Sequence, residues 1–187
     1  FYWFNEASLR LGPEVLAGNA ILLQFISISA FFLDAFAHVA EAETGRAAGA
    51  RDWPALKRAF RLTSELAAAC ALALGIVFLI GGTVFIEAMT DDPAARAAAL
   101  DALIWCALVP VVGWPSWQLD GLMIGTTRGA LMRNAMAAAL AIYVALDFAL
   151  RPALGVNGLW LAFLFYYVAR AGTLAVGWPG LKRDYAP

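Results

Sequence analysis

Asp34, His38 and Glu41 lie four and three residues apart in the stretch FFLDAFAHVAEAETGR, and His38 is the single histidine of the chain. On an α-helix these positions share one face. The spacing therefore predicts a carboxylate, an imidazole and a second carboxylate stacked on one side of an otherwise apolar helix. Such a set suits proton exchange or cation binding near neutral pH. An i,i+4 Asp–His pair is also part of a zinc site, but catalytic zinc takes three protein ligands and there is no second histidine. An intramembrane metal hydrolase is the weaker rival, and no metal site is expected. Other polar groups interrupt apolar runs: Gln118 and Asp120 in WQLDGLMIGTTR, Arg170 in FYYVARAGTL, and Asp147, which is followed by Arg151 at i+4. The last pair predicts a local contact at the end of its helix.

The elements that carry these groups are strongly apolar. Hydrophobic residues make up 63% of the 187 and charged residues 14%, and the mean hydropathy is +0.73. Soluble domains are nearer half apolar and a quarter charged. The excess apolar surface needs the bilayer as its solvent. A net charge of −1 provides no polybasic footprint for nucleic acid. Cys70 and Cys106 sit in apolar runs at a separation without metal-ligand spacing, and both are expected to be buried thiols.

A spanning helix takes about 20 predominantly apolar residues. Five such segments are expected, at 14–45, 60–88, 98–126, 133–150 and 157–178, making an all-α polytopic membrane bundle in one transmembrane domain, 1–187. The start, FYWFNEASLRLG, reads as the tail of a helix whose beginning is missing (1–11), and 179–187 as a cytoplasmic tail. Asp92 before Pro93 is a candidate N-cap. Pro110 and Pro115 remove backbone donors inside the third full span, which is expected to kink or open locally and to act as a moving element. The Ala-rich fourth span is expected to pack closely on its neighbours.

Basic residues orient the bundle. Arg46, Arg51, Lys57, Arg58, Arg61, Arg128, Arg133, Lys182 and Arg183 fall in one set of connections, and only Arg10, Arg96 and Arg151 in the other. The richer side is expected to be cytoplasmic, in an inner (plasma) membrane. RDWPALKRAF and TRGALMRNAM share Ala-Leu-x-Arg, a hint of a duplicated hairpin.

A charge placed in the membrane costs about 2.5–3.5 kcal/mol even on the gentler insertion scale, so it is usually paired or functional. Counted from the cytoplasmic ends at about 1.5 Å per residue, Asp34, His38, Asp120 and Arg170 fall in the inner half, on three helices. They are expected to converge as an ion-coupling site, with Glu41 nearer the surface, where Arg46 could satisfy it. In the outer half, Asn19 and Gln24, followed by Ser27 and Ser29, read either as interhelical hydrogen-bond glue or as the lining of a substrate cavity. Trp3, Trp105 and Trp160 are expected to be interfacial belt residues, whereas Trp114 and Trp117, with Gln118, lie deep enough to meet an apolar ligand.

Three blocks, LAGNAILLQFISISAFFLDAFAHVAEAETGRAAGARD, WQLDGLMIGTTRGALMRNAM and GLWLAFLFYYVARAGTLA, resemble the multidrug and toxic compound extrusion (MATE) transporters, and within them the subfamily of DNA-damage-inducible protein F. The resemblance runs through almost the whole chain. It implies the second of two six-helix lobes, with the first lobe as the missing partner and the central cavity between them. It also implies export of small organic, often cationic or amphipathic, compounds in exchange for protons or sodium, with no other cofactor. Asp120 in QLDG is the nearest match to a carboxylate on the tenth family helix that takes part in cation coupling. The subfamily's main proton site lies in the other lobe. The partner glutamate of the sodium-coupled branch would precede Phe1, and Glu6 is too near a helix end to replace it. Two alternatives remain open: a lipid-linked precursor flippase of the same superfamily, and a non-transporting membrane partner or scaffold.

Overall fold

The computed structural model describes residues 2–185. It is all α: α1 (Tyr2–Leu9), α2 (Pro13–Gly49), α3 (Trp53–Met89), α4 (Pro93–Gly125), α5 (Gly129–Leu154), α6 (Val156–Ala175) and α7 (Trp178–Tyr185). Five stretches are long and apolar enough to cross a membrane: the helices α2 to α5, and the run formed by α6 with α7. At about 1.5 Å per residue, the 37 residues of α2 and of α3 each extend well past a hydrocarbon core of about 30 Å. α3 starts seven residues before its expected span. Asp52 caps it, accepting from the Ala55 amide at 2.9 Å, and Pro54 occupies its first turn. Asp92 caps α4 as the sequence predicts, accepting from the Ala94 amide at 3.0 Å.

Sequence pattern explains which faces turn inward. Along α3 the buried positions are Ala67, Ala71, Gly75, Phe78, Gly82 and Ile86, spaced by three or four. The exposed positions include Leu66, Leu72, Ile76, Val77, Ile80 and Val84. Along the middle of α3 the small residues Ala67, Ala71, Gly75 and Gly82 thus meet the neighbouring helices, joined by Phe78 and Ile86, while large aliphatic side chains face outward, the arrangement expected where lipid already solvates leucine.

α4 is the centre of the bundle. It packs along α2, α3 and α6 and touches α5, while α5 pairs with α6. The α2–α4 contact is made through backbone. A Cβ built on Gly121 would lie 2.2 Å from the Ala37 carbonyl oxygen, and one on Gly125 2.4 Å from that of Glu41. Towards the other end, a Cβ on Gly18 would lie 2.7 Å from the Ala99 amide. Helix α4 runs unbroken through Pro110 and Pro115. The expected local opening is therefore absent, because neighbours on three sides hold the segment and the two missing donors are tolerated there.

The hairpins α2–α3 and α4–α5 close with the same turn. The Asp52 amide bonds the Ala47 carbonyl and the Arg51 amide that of Ala48; the Arg128 amide bonds Met123 and the Thr127 amide Ile124. Arg51 and Thr127 occupy the left-handed region (φ 54° and 58°), as such helix ends require. These equivalences sit one residue away from the register that Ala-Leu-x-Arg suggests.

Residues 178–185 form α7, which docks on the bundle; residues 1, 186 and 187 lie outside the described residues. Leu181 is fully buried. Trp178 packs on Trp53 and Phe60, with ring centroids 5.7 and 5.6 Å apart, and Asp184 pairs with Arg128. α7 thereby covers both turns at the basic end of the bundle. A cysteine placed at exposed Ala50, in an otherwise cysteine-free transporter, is expected to be shielded from an impermeant reagent applied outside intact cells, and one at exposed Ala94 to react. The reverse pattern would overturn the orientation.

Candidate ion-coupling and substrate site

The α2–α4 contact positions the acidic groups. Asp34, Ala37, His38 and Glu41 lie on one face of α2, and Ala37 is the residue against which Gly121 rests. Asp120, one residue before Gly121, is therefore brought beside that face. Arg170 reaches across from α6: its Nη2 lies 2.7 Å from Asp120 Oδ2, with both side chains largely buried. Its Nη1 donates to the Tyr166 hydroxyl at 3.3 Å. Asp34, His38, Glu41, Asp120 and Arg170 all line one pocket of about 240 Å³. Three carboxylates against one guanidinium leave two negative charges there when His38 is neutral, an environment that attracts protons or small cations.

His38 is the least enclosed member, with its side chain 76% exposed; its Nδ1 lies 3.6 Å from Glu41 Oε2, a charge contact that operates when the imidazole is protonated. Glu41 is not satisfied by Arg46, which pairs with Glu43 on the same exposed face instead. The i,i+3 spacing of Glu43 and Arg46 keeps their side chains together on the helix surface.

A second, larger cavity of about 560 Å³ is walled mostly by aromatic rings: Tyr2, Trp3, Trp117, Tyr143, Phe163, Tyr166 and Tyr167. Trp117 stacks on Tyr167 with centroids 5.0 Å apart. Arg170 and Trp117 line both cavities, so the two share a wall. Helix spacing builds most of it. Phe163, Tyr166, Tyr167 and Arg170 fall at i, i+3, i+4 and i+7 of α6, and Leu140, Tyr143 and Val144 at i, i+3 and i+4 of α5. The i, i+3, i+4, i+7 spacing in FLFYYVAR is the sequence signal for this cavity.

The sequence-predicted cavity residues separate. Trp117 is a shared wall. Asn19 lines neither cavity: it is fully buried, donates to Ser8 Oγ at 2.8 Å and accepts from Trp160 Nε1 at 3.0 Å, tying α2 to α1 and α6. Ser27 and Ser29 bond carbonyls of their own helix, those of Leu23 and Phe25. Gln24 is exposed on the outer face of α2. Trp114 packs on Leu33, Ala67 and Ala71. Gln118 is fully buried and lines neither cavity. The depth of these residues was legible, but their rotation about the helix axis depends on which neighbour each face meets.

Two further expectations change, and a third is met. Trp160 is a buried core residue and not a belt residue, because Phe4 and Phe163 enclose it at 5.0 and 6.0 Å. The expected i,i+4 contact of Asp147 with Arg151 forms, with Arg151 Nε 3.1 Å from Oδ1, and Asp147 is fully buried and also accepts from Trp3 Nε1 at 3.0 Å. Cys106 is buried but Cys70 only partly, since it lies on the flank of α3.

Five stretches long and apolar enough to cross a membrane, packed around an internal charged pocket, define a multi-pass membrane protein. Residues 6–149 match the MatE family. DNA damage-inducible protein F of Escherichia coli (strain K12) is 38% identical over 169 residues, which cover 90% of this chain. The chain belongs to the MatE family, the multidrug and toxic compound extrusion transporters, and it spans 37% of the length of that relative.

Proposed function

We propose that this chain is the C-terminal lobe of a secondary antiporter of the inner (plasma) membrane, exporting organic, often cationic or amphipathic, compounds in exchange for protons or sodium. One observation carries the reading: an aromatic cavity shares Trp117 and Arg170 with a pocket holding three carboxylates. Aromatic faces attract organic cations, and a net-negative pocket takes up a proton or sodium. A flippase for lipid-linked phosphates calls for several cations in the cavity. Here Arg170 is the one charged side chain on the described aromatic wall, and it is already paired with Asp120.

Vesicles containing the complete transporter test this. An imposed proton or sodium gradient is expected to drive ethidium movement, and comparing the two gradients identifies the coupling ion. Failure of both gradients to move ethidium, with the protein folded, would overturn the reading.

The cavity wall supplied by this lobe is one side of a binding site. Residues 1–187 expressed alone are therefore expected to confer no resistance to organic cations in a strain lacking other family members, and co-expression with an N-terminal lobe to restore it. Strong resistance from the monomeric chain contradicts this.

A further inference from the structure

Arg170 holds a position that its ion pair alone does not explain. Its guanidinium is bonded to Asp120 at 2.7 Å in the acidic pocket. The same residue, with Trp117 and Tyr166, forms the wall of the aromatic cavity. Its charge therefore acts in two compartments, and whether that charge is compensated depends on Asp120.

We propose that Arg170 is the coupling residue that transmits the state of the acidic pocket to the aromatic cavity. With Asp120 ionised, the guanidinium is neutralised and an organic cation is accepted among the rings. With Asp120 protonated, an uncompensated positive charge stands on the cavity wall and the cation is expelled. Protonation and cation binding thereby exclude one another without sharing a ligand atom, which is the condition for exchange. The inference rests on the aromatic cavity being the substrate site.

The surroundings of Arg170 define the controls. α2 presents Asp34, His38 and Glu41 to the acidic pocket and α4 presents Asp120. On α6 the Tyr166 hydroxyl accepts from the guanidinium at 3.3 Å. α5 contributes Met132 to the acidic pocket and Tyr143 to the aromatic cavity. Asp34 is the other carboxylate able to take over the pairing, and His38 the other group able to add positive charge on acidification.

The test is equilibrium binding of tetraphenylphosphonium to the purified complete transporter across mildly acidic to mildly alkaline pH. Wild-type affinity is expected to fall on acidification, and His38→Gln to keep that dependence. Asp120→Asn is expected to bind weakly at every pH, by on the order of tenfold, as like charges across a low-dielectric cavity require. Arg170→Gln is expected to bind at acid pH at least as tightly as the wild type does at alkaline pH, because no positive charge is left on the cavity wall when Asp120 is protonated. The deciding variant is the double Asp120→Asn/Arg170→Gln, which leaves neither charge unpaired and is expected to recover tight binding. A double variant as weak as Asp120→Asn would mean that Asp120 holds the cation itself and would overturn the proposal. So would wild-type affinity in Asp120→Asn, with Asp34 as the substitute partner, or a pH dependence lost in His38→Gln. A wild-type transporter that binds no tetraphenylphosphonium at any pH overturns the cavity reading itself, and this inference with it.

Discussion

Replacing Asp120 with Asn in the complete transporter is expected to reduce substrate export to background while the protein still reaches the membrane. The amide keeps the size of the carboxyl and removes the charge that holds Arg170 at 2.7 Å. Breaking a fully buried pair by removing one partner costs about 3–5 kcal/mol. This pair faces a pocket, which moderates the cost and leaves the fold intact. What is lost is the group whose protonation or cation occupancy differs between the two access states. Asp34→Asn, on the facing wall of the pocket, is expected to abolish or uncouple export as well. Gradient-driven ethidium efflux, normalised to the amount of transporter, measures both. Normal export by both variants over a range of pH means that the cluster only fixes helix register.

Gly121→Val is expected to eliminate folded protein. Even a single Cβ at this position would lie 2.2 Å from the Ala37 carbonyl oxygen, a backbone atom of α2 that cannot rotate aside. Overpacking by a methylene or two typically costs about 1–3 kcal/mol; two helices pressed together over several turns have little room to relax. Gly121→Ala should already lower the melting temperature. Gly81→Ala is the matched control, because a Cβ there meets nothing within 4 Å and alanine is the better helix former by about 1 kcal/mol. Fluorescence size-exclusion after heating compares the three. Equal melting behaviour of Gly121→Ala and Gly81→Ala would show that α2 and α4 do not depend on this contact.

Periodicity and run length made the spans legible, because lipid imposes a length and a polarity that a sequence cannot hide. The ends were less legible. α3 begins at Trp53 and not near 60: Lys57, Arg58 and Arg61 interrupt the apolar run in its first turns, although Trp53 and Leu56 are buried there. The acidic cluster could be read from Asp34, His38 and Glu41 because i,i+4 spacing fixes a shared face within one helix. Asp120 and Arg170 could be matched to it only by depth. The contact that brings Asp120 to α2 is carried by Gly121 and Gly125 in QLDGLMIG, where the absence of side chains is the information. Asn19 shows the converse. Its depth suggested a cavity as readily as a bond, and only the positions of Ser8 and Trp160 on other helices decide between them.

The glycine contact also sets the mechanics of the pocket. With the α4 backbone pressed onto the carbonyls of Ala37 and Glu41, sliding α4 along α2 would drive side chains into those carbonyls. Asp34 and Asp120 are thus mounted on a single stiff plate, at a separation that their backbones cannot adjust. The remaining degrees of freedom belong to the third wall: the several torsions of the long Arg170 side chain, and the fit of α6 against α4. Work done on the ion pair is then done by the guanidinium, moving against a fixed acid.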